Sequence, residues 1–474
     1  VLAENSVLVA ADGDLAPRAN RVLIAVSLAL FCVQLDFFAL NLAIPSIGRG
    51  LHAGADDAQW VLSAYMLSLG ALLIAGGRLG DLLGRRRVLL VGIALFGAAS
   101  VACATAPTLE VLIAARALQG AGAAVILPGV VSVLTNTYSS ERSGKAIGMA
   151  FGLSGIGNAL GPFIGGALTD AISWRWIFWI NVPFALAALA IGASDIVESR
   201  DHSAPARVDI PGLVTVTAGL AALSLGVNRG PSWGWGSAPT VGVLAAAAVL
   251  LSLFVVIERH VRWPLVDLSL FRGREFVALA SSAALGNAAY GVMIFGVTLY
   301  LQTARGFSPL AAGVIFLGPS LAAAVAGPLS GALGARLPSL TVLSMGIALG
   351  GLALLALAAV QPLAPFVVIL TASGLGFGLV YAYANVATQQ TVSPDQAGAA
   401  SGIVLTMLVT MAGLGVVIAG TGIHAATAGG TARGTAIRTV LALFSLLPLT
   451  AVTCVTVLRR ARILAAVPQP GQGP

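Results

Sequence analysis

Charge is what this sequence has least of. Only 9% of its 474 residues are Asp, Glu, Lys or Arg, where a soluble globular domain carries about 25%. Lys145 is the single lysine, and the three cysteines (Cys32, Cys103, Cys454) fall in or near separate apolar runs. That spacing excludes a disulfide framework and a Cys-based metal centre. The four histidines (His52, His202, His260, His424) are equally scattered, so no metal and no other cofactor is expected. A GxxxxGK[ST] phosphate loop is missing, which excludes a pump carrying its own P-loop ATPase. Missing too is a convergent set of acids, histidines or cysteines at one depth, as an intramembrane enzyme would need. The chain is therefore not expected to be an enzyme. A net charge of +7 raises nucleic acid as a partner, but the basic residues form no patch, lying in short loops between apolar runs.

What is abundant is apolar sequence, 58% of the chain, against about 45–50% in ordinary globular proteins. The surplus has to face lipid. Runs of bilayer-spanning length, about 20 residues, are predicted near 22–44, 58–79, 86–106, 109–134, 144–169, 175–194, 210–228, 240–257, 277–302, 309–334, 339–360, 363–389, 397–422 and 436–457. That makes an all-α membrane protein of fourteen spans. The first run is too long for a signal-peptide core and is read as a permanent span. With the N-terminus inside, eighteen of the 25 basic residues face the cytoplasm and six face outside, Arg116 lying within a span. This bias places both termini in the cytoplasm.

Gly77-Arg-Leu-Gly-Asp-Leu-Leu-Gly84 recurs as Gly327-Pro-Leu-Ser-Gly-Ala-Leu-Gly334, and Glu141–Gly148 as Asp395–Gly402. The repeat predicts two six-span bundles, residues 1–200 and 266–474, the second with a cytoplasmic tail. Two inserted spans and their linkers occupy 201–265. Parallel repeats of this kind put a substrate site near the midplane between bundles, with transport by rocking one against the other.

Asp36 is the one carboxylate deep in a span, within FCVQLDFFALN (31–41). An ionised Asp there costs at least about 2.5–3.5 kcal/mol on insertion scales. One reading is an acid that binds a proton or cation from a cavity; the other is a structural Asp satisfied by neighbours such as Gln34 or Asn41. The first is favoured because intramembrane ionisable groups are functional by default. Arg116 is the one basic residue deep in a span, and helix rise puts both roughly 11–12 Å below the outer surface. They can pair, either to time proton release or simply to tie two helices.

The loop GRLGDLLGRRR (77–87) combines glycines that allow a tight turn, Asp81 able to accept from helix-start N–H groups, and four arginines. It reads as a topology signal or as something more specific. The fifth span carries Gly157, Gly161, Pro162, Gly165 and Gly166, spaced for close helix packing with a kink. Packing alone justifies these glycines; a leak-tight interface would need the same helix. The aromatics of WRWIFWINVP (174–183) anchor the membrane interface and are given no role in the site. Candidate substrate contacts are Gln34, Phe37, Phe38, Asn41 and Asn158 in the first half, and Asn287, Tyr290, Tyr381 and Asn385 in the second.

These segments together resemble the fourteen-span drug:proton antiporters of the major facilitator superfamily over nearly the full chain. The resemblance is carried by Leu35-Asp36 with Asn41, Ala43 and Pro45; by Gln59-Trp60 and Tyr65; and by GRLGDLLGRRR. Arg116-Ala-Leu-Gln-Gly-Ala-Gly-Ala-Ala, the GPFIGG segment, WRWIFWINVP and Leu299-Tyr-Leu-Gln302 continue it. It implies the major facilitator fold, with Asp36 as the protonatable acid and Arg116 as the basic residue linked to proton transfer. Gly77, Asp81, Gly84 and Arg85 would belong to a cytoplasmic latch between bundles, and the glycines at 157–166 to the antiporter helix. It further implies a multi-pass monomer of the bacterial inner membrane that exchanges protons for a small hydrophobic substrate, with no cofactor and no nucleic acid. Two departures matter. Phe37-Phe38 stands where the family often has Thr, and the second half carries no further membrane acid. The missing acids favour neutral, monocationic or anionic hydrophobic cargo over dications, and the Phe pair suits an aromatic or polyketide-like substrate. The alternatives are export of a lipid, siderophore or other metabolite on the same scaffold, and a non-transporting receptor-like protein.

Overall fold

The computed structural model describes residues 15–199, 209–262, 264–266, 268–334, 336–392 and 397–465, some side chains excepted. Helix dominates, and no strand occurs among the described residues. The long helices are α1 (Leu15–Gly50), α2 (Trp60–Leu83), α3 (Arg85–Thr105), α4 (Leu109–Thr137), α5 (Ser140–Ala171) and α6 (Asn181–Asp195). They continue as α7 (Ile210–Trp233), α8 (Ala238–His260), α9 (Arg274–Leu299) and α10 (Pro309–Gly334). The last four are α11 (Ser339–Ala359), α12 (Leu363–Thr391), α13 (Ala397–Ala428) and α14 (Arg433–Ala465). Thirteen described helical stretches are long and apolar enough to cross a membrane. The fourteenth is α2, 24 residues long, whose described apolar stretch is Trp60–Leu73.

These segments are helical because a chain in hydrocarbon has to satisfy its backbone polar groups internally. Their ends follow ordinary capping chemistry. Thr108 accepts from the Val111 amide at the start of α4, Ser237 from Thr240 at α8, and Asp209 from Gly212 at α7. Large apolar side chains such as Val249 and Val368 are more than 60% exposed, which in water would be an aggregation surface. They are the lipid-facing surface.

Two groupings of helices emerge from the packing. In the first, α5 lies along α1, α4 packs between α2 and α3, and α6 closes onto α1 and α3. In the second, α9 packs on α13 and α14, while α12 lies between α10 and α11. The groupings meet along two seams, α5 with α10 and α2 with α13. The pair α7–α8 packs mainly on itself and leans by α7 on α2 and α13, where Thr217 donates to the Ala71 carbonyl at 3.2 Å. The repeated segments occupy matching places: 77–84 ends α2 and 327–334 ends α10, while 141–148 opens α5 and 397–402, the described part of the fourth, opens α13.

Both seams are tightest toward the end where α1 finishes. Gly166 lies so close to the Pro309 carbonyl that a methyl group there would collide with it, and a Cβ at Gly313 would sit 2.7 Å from the Pro162 carbonyl. Gln59 Nε2 donates to the Val416 carbonyl at 2.7 Å across the α2–α13 seam, and Gln302 Nε2, just after α9, donates to the Leu42 carbonyl of α1 at 2.9 Å and so also links the two groupings. Toward the other end, Gly148, Gly152 and Gly155 of α5, Gly327 of α10 and Gly402 of α13 border open space, with nothing within 4 Å.

Candidate functional site

Asp36 and Arg116 meet. The Arg116 Nη1 donates to Asp36 Oδ2 at 2.5 Å, and both side chains are wholly buried. Two amides complete the carboxylate's environment: Gln119 Nε2 at 3.1 Å and Asn181 Nδ2 at 2.9 Å, both on Oδ1. Three donors and no acceptor around one carboxyl suit its ionised form, which has only lone pairs to offer. Arg116 is held in turn. Its Nε donates to the Val61 carbonyl at 3.0 Å, and Nη1 also reaches Gln119 Oε1 at 2.6 Å. The Tyr65 ring lies 4.2 Å from the guanidinium carbon, within cation–π range. Gln119 Nε2 also donates to Ser100 Oγ at 2.8 Å, and the Cys103 thiol leans on Gln119 Oε1 at 3.6 Å.

The network thus draws on α1, α2, α3, α4 and α6. The remaining helix of that grouping, α5, packs against the back of the Asp36 segment. Its Gly157, Gly161 and Gly165 face Phe31, Leu35, Phe38 and Ala39 of α1 at distances that leave no room for a side chain at Gly165. Gly166, one residue on, faces α10. With the kink residue Pro162 between them, these glycines put one helix in contact with both the acid-bearing helix and the opposite grouping.

Next to Asp36 the chain turns aromatic. Phe37 stacks on Tyr65 with ring centres 6.4 Å apart and meets Phe38 edge-on at 5.0 Å. Phe38 reaches Tyr290 of α9 at 6.2 Å, and Tyr290 reaches Phe377 of α12 at 5.7 Å. A continuous line of rings therefore runs from the helix carrying Asp36 across into the second grouping. Tyr381 is half-buried, as are Gln34 and Asn158; the Asn158 Oδ1 is buried without a partner. Asn41 turns back on its own helix, donating to the Phe37 carbonyl at 2.9 Å. Asn287 donates to the Leu408 carbonyl at 2.8 Å and so ties α9 to α13. The side chain of Asn385 lies outside the described residues, as does that of Asp81.

At the GRLGDLLGRRR loop, Gly84 (φ +111°) makes the turn between α2 and α3 in a conformation that disfavours any side chain. Glu198, from the segment after α6, fills the space beside it and accepts from the backbone N–H groups of Arg86 and Arg87, both at 3.1 Å. The Arg85 amide donates to the Ser199 carbonyl at 2.9 Å, and Gly77 packs on Pro128 of α4. These contacts bind the loop to its own grouping.

Sequence reading gave no site role to four polar residues that the structure makes prominent: Gln119, Asn181, Glu198 and Gln59. Gln119 and Asn181 lie inside motifs already noted, one turn beyond Arg116 and at the end of WRWIFWINVP. A buried amide one helical turn from a buried charge was the available signal.

The family model of the Major Facilitator Superfamily matches residues 26–416, and the chain belongs to that superfamily. The chain is 35% identical over 387 residues to the multidrug resistance protein Stp of Mycobacterium tuberculosis, covering 80% of this chain and 71% of that one. It is 34% identical over 429 residues to a puromycin resistance protein of Streptomyces alboniger, covering 87% and 83%. In fold it is similar to the crystal structure of an auto-inhibited peptide transporter of the POT family, with a TM-score of 0.66 and 18% identity over 94% of this chain and 97% of that one. It is a multi-pass membrane protein of a superfamily of transporters.

Proposed function

We propose that this protein exports hydrophobic small molecules, drugs or endogenous metabolites, across a bacterial inner membrane in exchange for protons. Both termini lie in the cytoplasm, Asp36 carries the proton, and the protein works as a monomer. The observation that carries the reading is the continuity between the Asp36–Arg116 network and the line of rings from Phe37 to Phe377. Substrate bound among the rings presses on the same helix whose acid must gain or lose a proton. Relatives named for resistance to drugs and to puromycin support this class of cargo. The cargo is neutral, monocationic or anionic, since the buried polar side chains of the second grouping are all uncharged among the described residues.

In this reading the structure stands in a state shut at the outer face, where α5–α10 and α2–α13 touch most closely, and loosened at the cytoplasmic face. Transport rocks one grouping against the other. Protonation of Asp36 weakens its attraction to Arg116 and frees α1 to shift, and α5, in contact with α1 on one side and α10 on the other, passes the shift to the seam. The loop from Gly77 to Arg87, with Asp81 and Arg85, acts as the cytoplasmic latch.

Proton flux in reconstituted vesicles tests the proposal, with hydrophobic monocations and aromatic natural products as cargo. Substrate should drive proton movement in wild type and leave it at background in Asp36→Asn. Equal flux in the two proteins would mean that Asp36 is structural and the coupling group lies elsewhere.

A further inference from the structure

An asparagine beside the coupling acid has one half of its amide unused. Asn181 is wholly buried; its Nδ2 donates to Asp36 Oδ1, yet its Oδ1 has no hydrogen-bond partner among the described residues. A buried acceptor without a partner is costly, so its retention calls for a state in which it is used. When Asp36 binds a proton its carboxyl becomes a donor and needs an acceptor. Of the three groups now donating to it, Arg116 has no acceptor atom at all. Gln119 is pinned in its present orientation, because its Oε1 takes Arg116 and Cys103 while its Nε2 also holds Ser100. Asn181 alone can turn over without breaking a bond elsewhere.

The other titratable groups facing Asp36 from the surrounding helices are Cys32 on α1, Tyr65 on α2, Cys103 on α3 and Arg116 on α4. Against the Asp36 segment α5 places Gly157, Gly161 and Gly165, and from Ala146 to Thr169 it contains no titratable residue. The Tyr65 and Ser63 hydroxyls also lack partners, but neither is hydrogen-bonded to Asp36.

We infer that Asn181 is the positioning residue that reads the protonation state of Asp36. Its NH2 holds the carboxylate; after a proton arrives on Asp36 Oδ1, the amide rotates about its Cβ–Cγ bond and its Oδ1 accepts the carboxyl O–H. Gln119 stays fixed and keeps Arg116 in place throughout. Because Asn181 opens α6 directly behind the Trp176–Trp179 turn, the rotation is felt where that turn meets the helix. This inference rests on Asp36 being the proton-coupling acid.

The test compares wild type, Asn181→Leu and Asp36→Asn in vesicles across pH. Asn181→Leu loses both a donor to the carboxylate and an acceptor for the neutral carboxyl. Because the bond to the charged form is the stronger, the difference moves the pH profile of substrate-driven proton flux upward by about one pH unit. A uniform loss of rate with the profile unmoved makes Asn181 merely structural and overturns the inference. Flux that persists in Asp36→Asn overturns the coupling reading itself, and this one with it. Infrared difference spectra of wild type decide the matter even if Asn181→Leu does not fold. At low pH the carboxyl band lost in Asp36→Asn should sit at the lowered frequency of an O–H that donates a hydrogen bond. A band at the frequency of a free carboxyl would refute the amide rotation.

Discussion

The two groupings of helices pack in a matching pattern and differ in what they bury. At the heart of the first grouping, α1 carries an ionisable acid in a network that spans five helices. At the heart of the second, α9 carries Asn287 and Tyr290 and meets its neighbours through an amide and tilted ring contacts. The contrast teaches a division of labour. A buried ion pair is poor value as glue, since desolvation consumes much of its Coulomb gain; among the described residues the first half keeps one at its centre, which points to a task there. The second half supplies an apolar, aromatic surface whose contacts can be exchanged for those of a substrate.

The sharpest way to break this contrast is to remove the cation. Arg116→Ala leaves Asp36 buried without its partner and should cost about 3–5 kcal/mol, measured by thermal unfolding in detergent. Arg116→Lys should recover little of it. Lysine cannot reach Val61, Asp36 and Gln119 together as the guanidinium does. If Arg116→Ala unfolds like wild type, the network carries no stability and the contrast between halves loses its footing.

A smaller effect is expected from the aromatic half. Phe377→Ala removes one ring pair and Tyr290→Ala two, each worth about 0.5–1.5 kcal/mol beyond its area. KM for an aromatic cargo should rise about 2- to 10-fold on that scale, with the pH profile of transport unchanged. Transport assays over a range of substrate concentrations check this. A moved pH profile would place proton chemistry in the second half as well.

The smallest effect concerns the loop between α2 and α3. Glu198→Gln weakens the interaction of a carboxylate with the start of α3 and should cost about 0.5–1 kcal/mol at low salt, fading as salt is added. Denaturation at two ionic strengths reads it. A loss that is large or indifferent to salt would show that Glu198 does more than cap a helix.

Much of this was legible in the chain itself. Every span predicted from apolar length corresponds to one of the fourteen helices, because in hydrocarbon there is no competing way to satisfy a backbone. Asp36 and Arg116 stood out because a charge inside an apolar run is expensive enough to demand a reason. Matching depths along two antiparallel helices even allowed their meeting to be expected. The glycines of α5 could be read as close-packing positions, though not against which neighbours; Gly165 faces α1 and Gly166 faces α10.

Uncharged polar residues were the part that escaped. Asn41, Asn287, Asn181 and Gln119 are equivalent to the eye in sequence, polar groups in apolar surroundings. Yet one bonds its own helix, one bridges α9 and α13, and two clasp the acid. Composition and hydropathy determined that this chain crosses a membrane many times and where its buried charges lie, because those energies are large and depend on each segment alone. Which amide meets which partner was decided only by tertiary structure, because a hydrogen bond is a matter of a few tenths of an ångström between helices far apart in the chain.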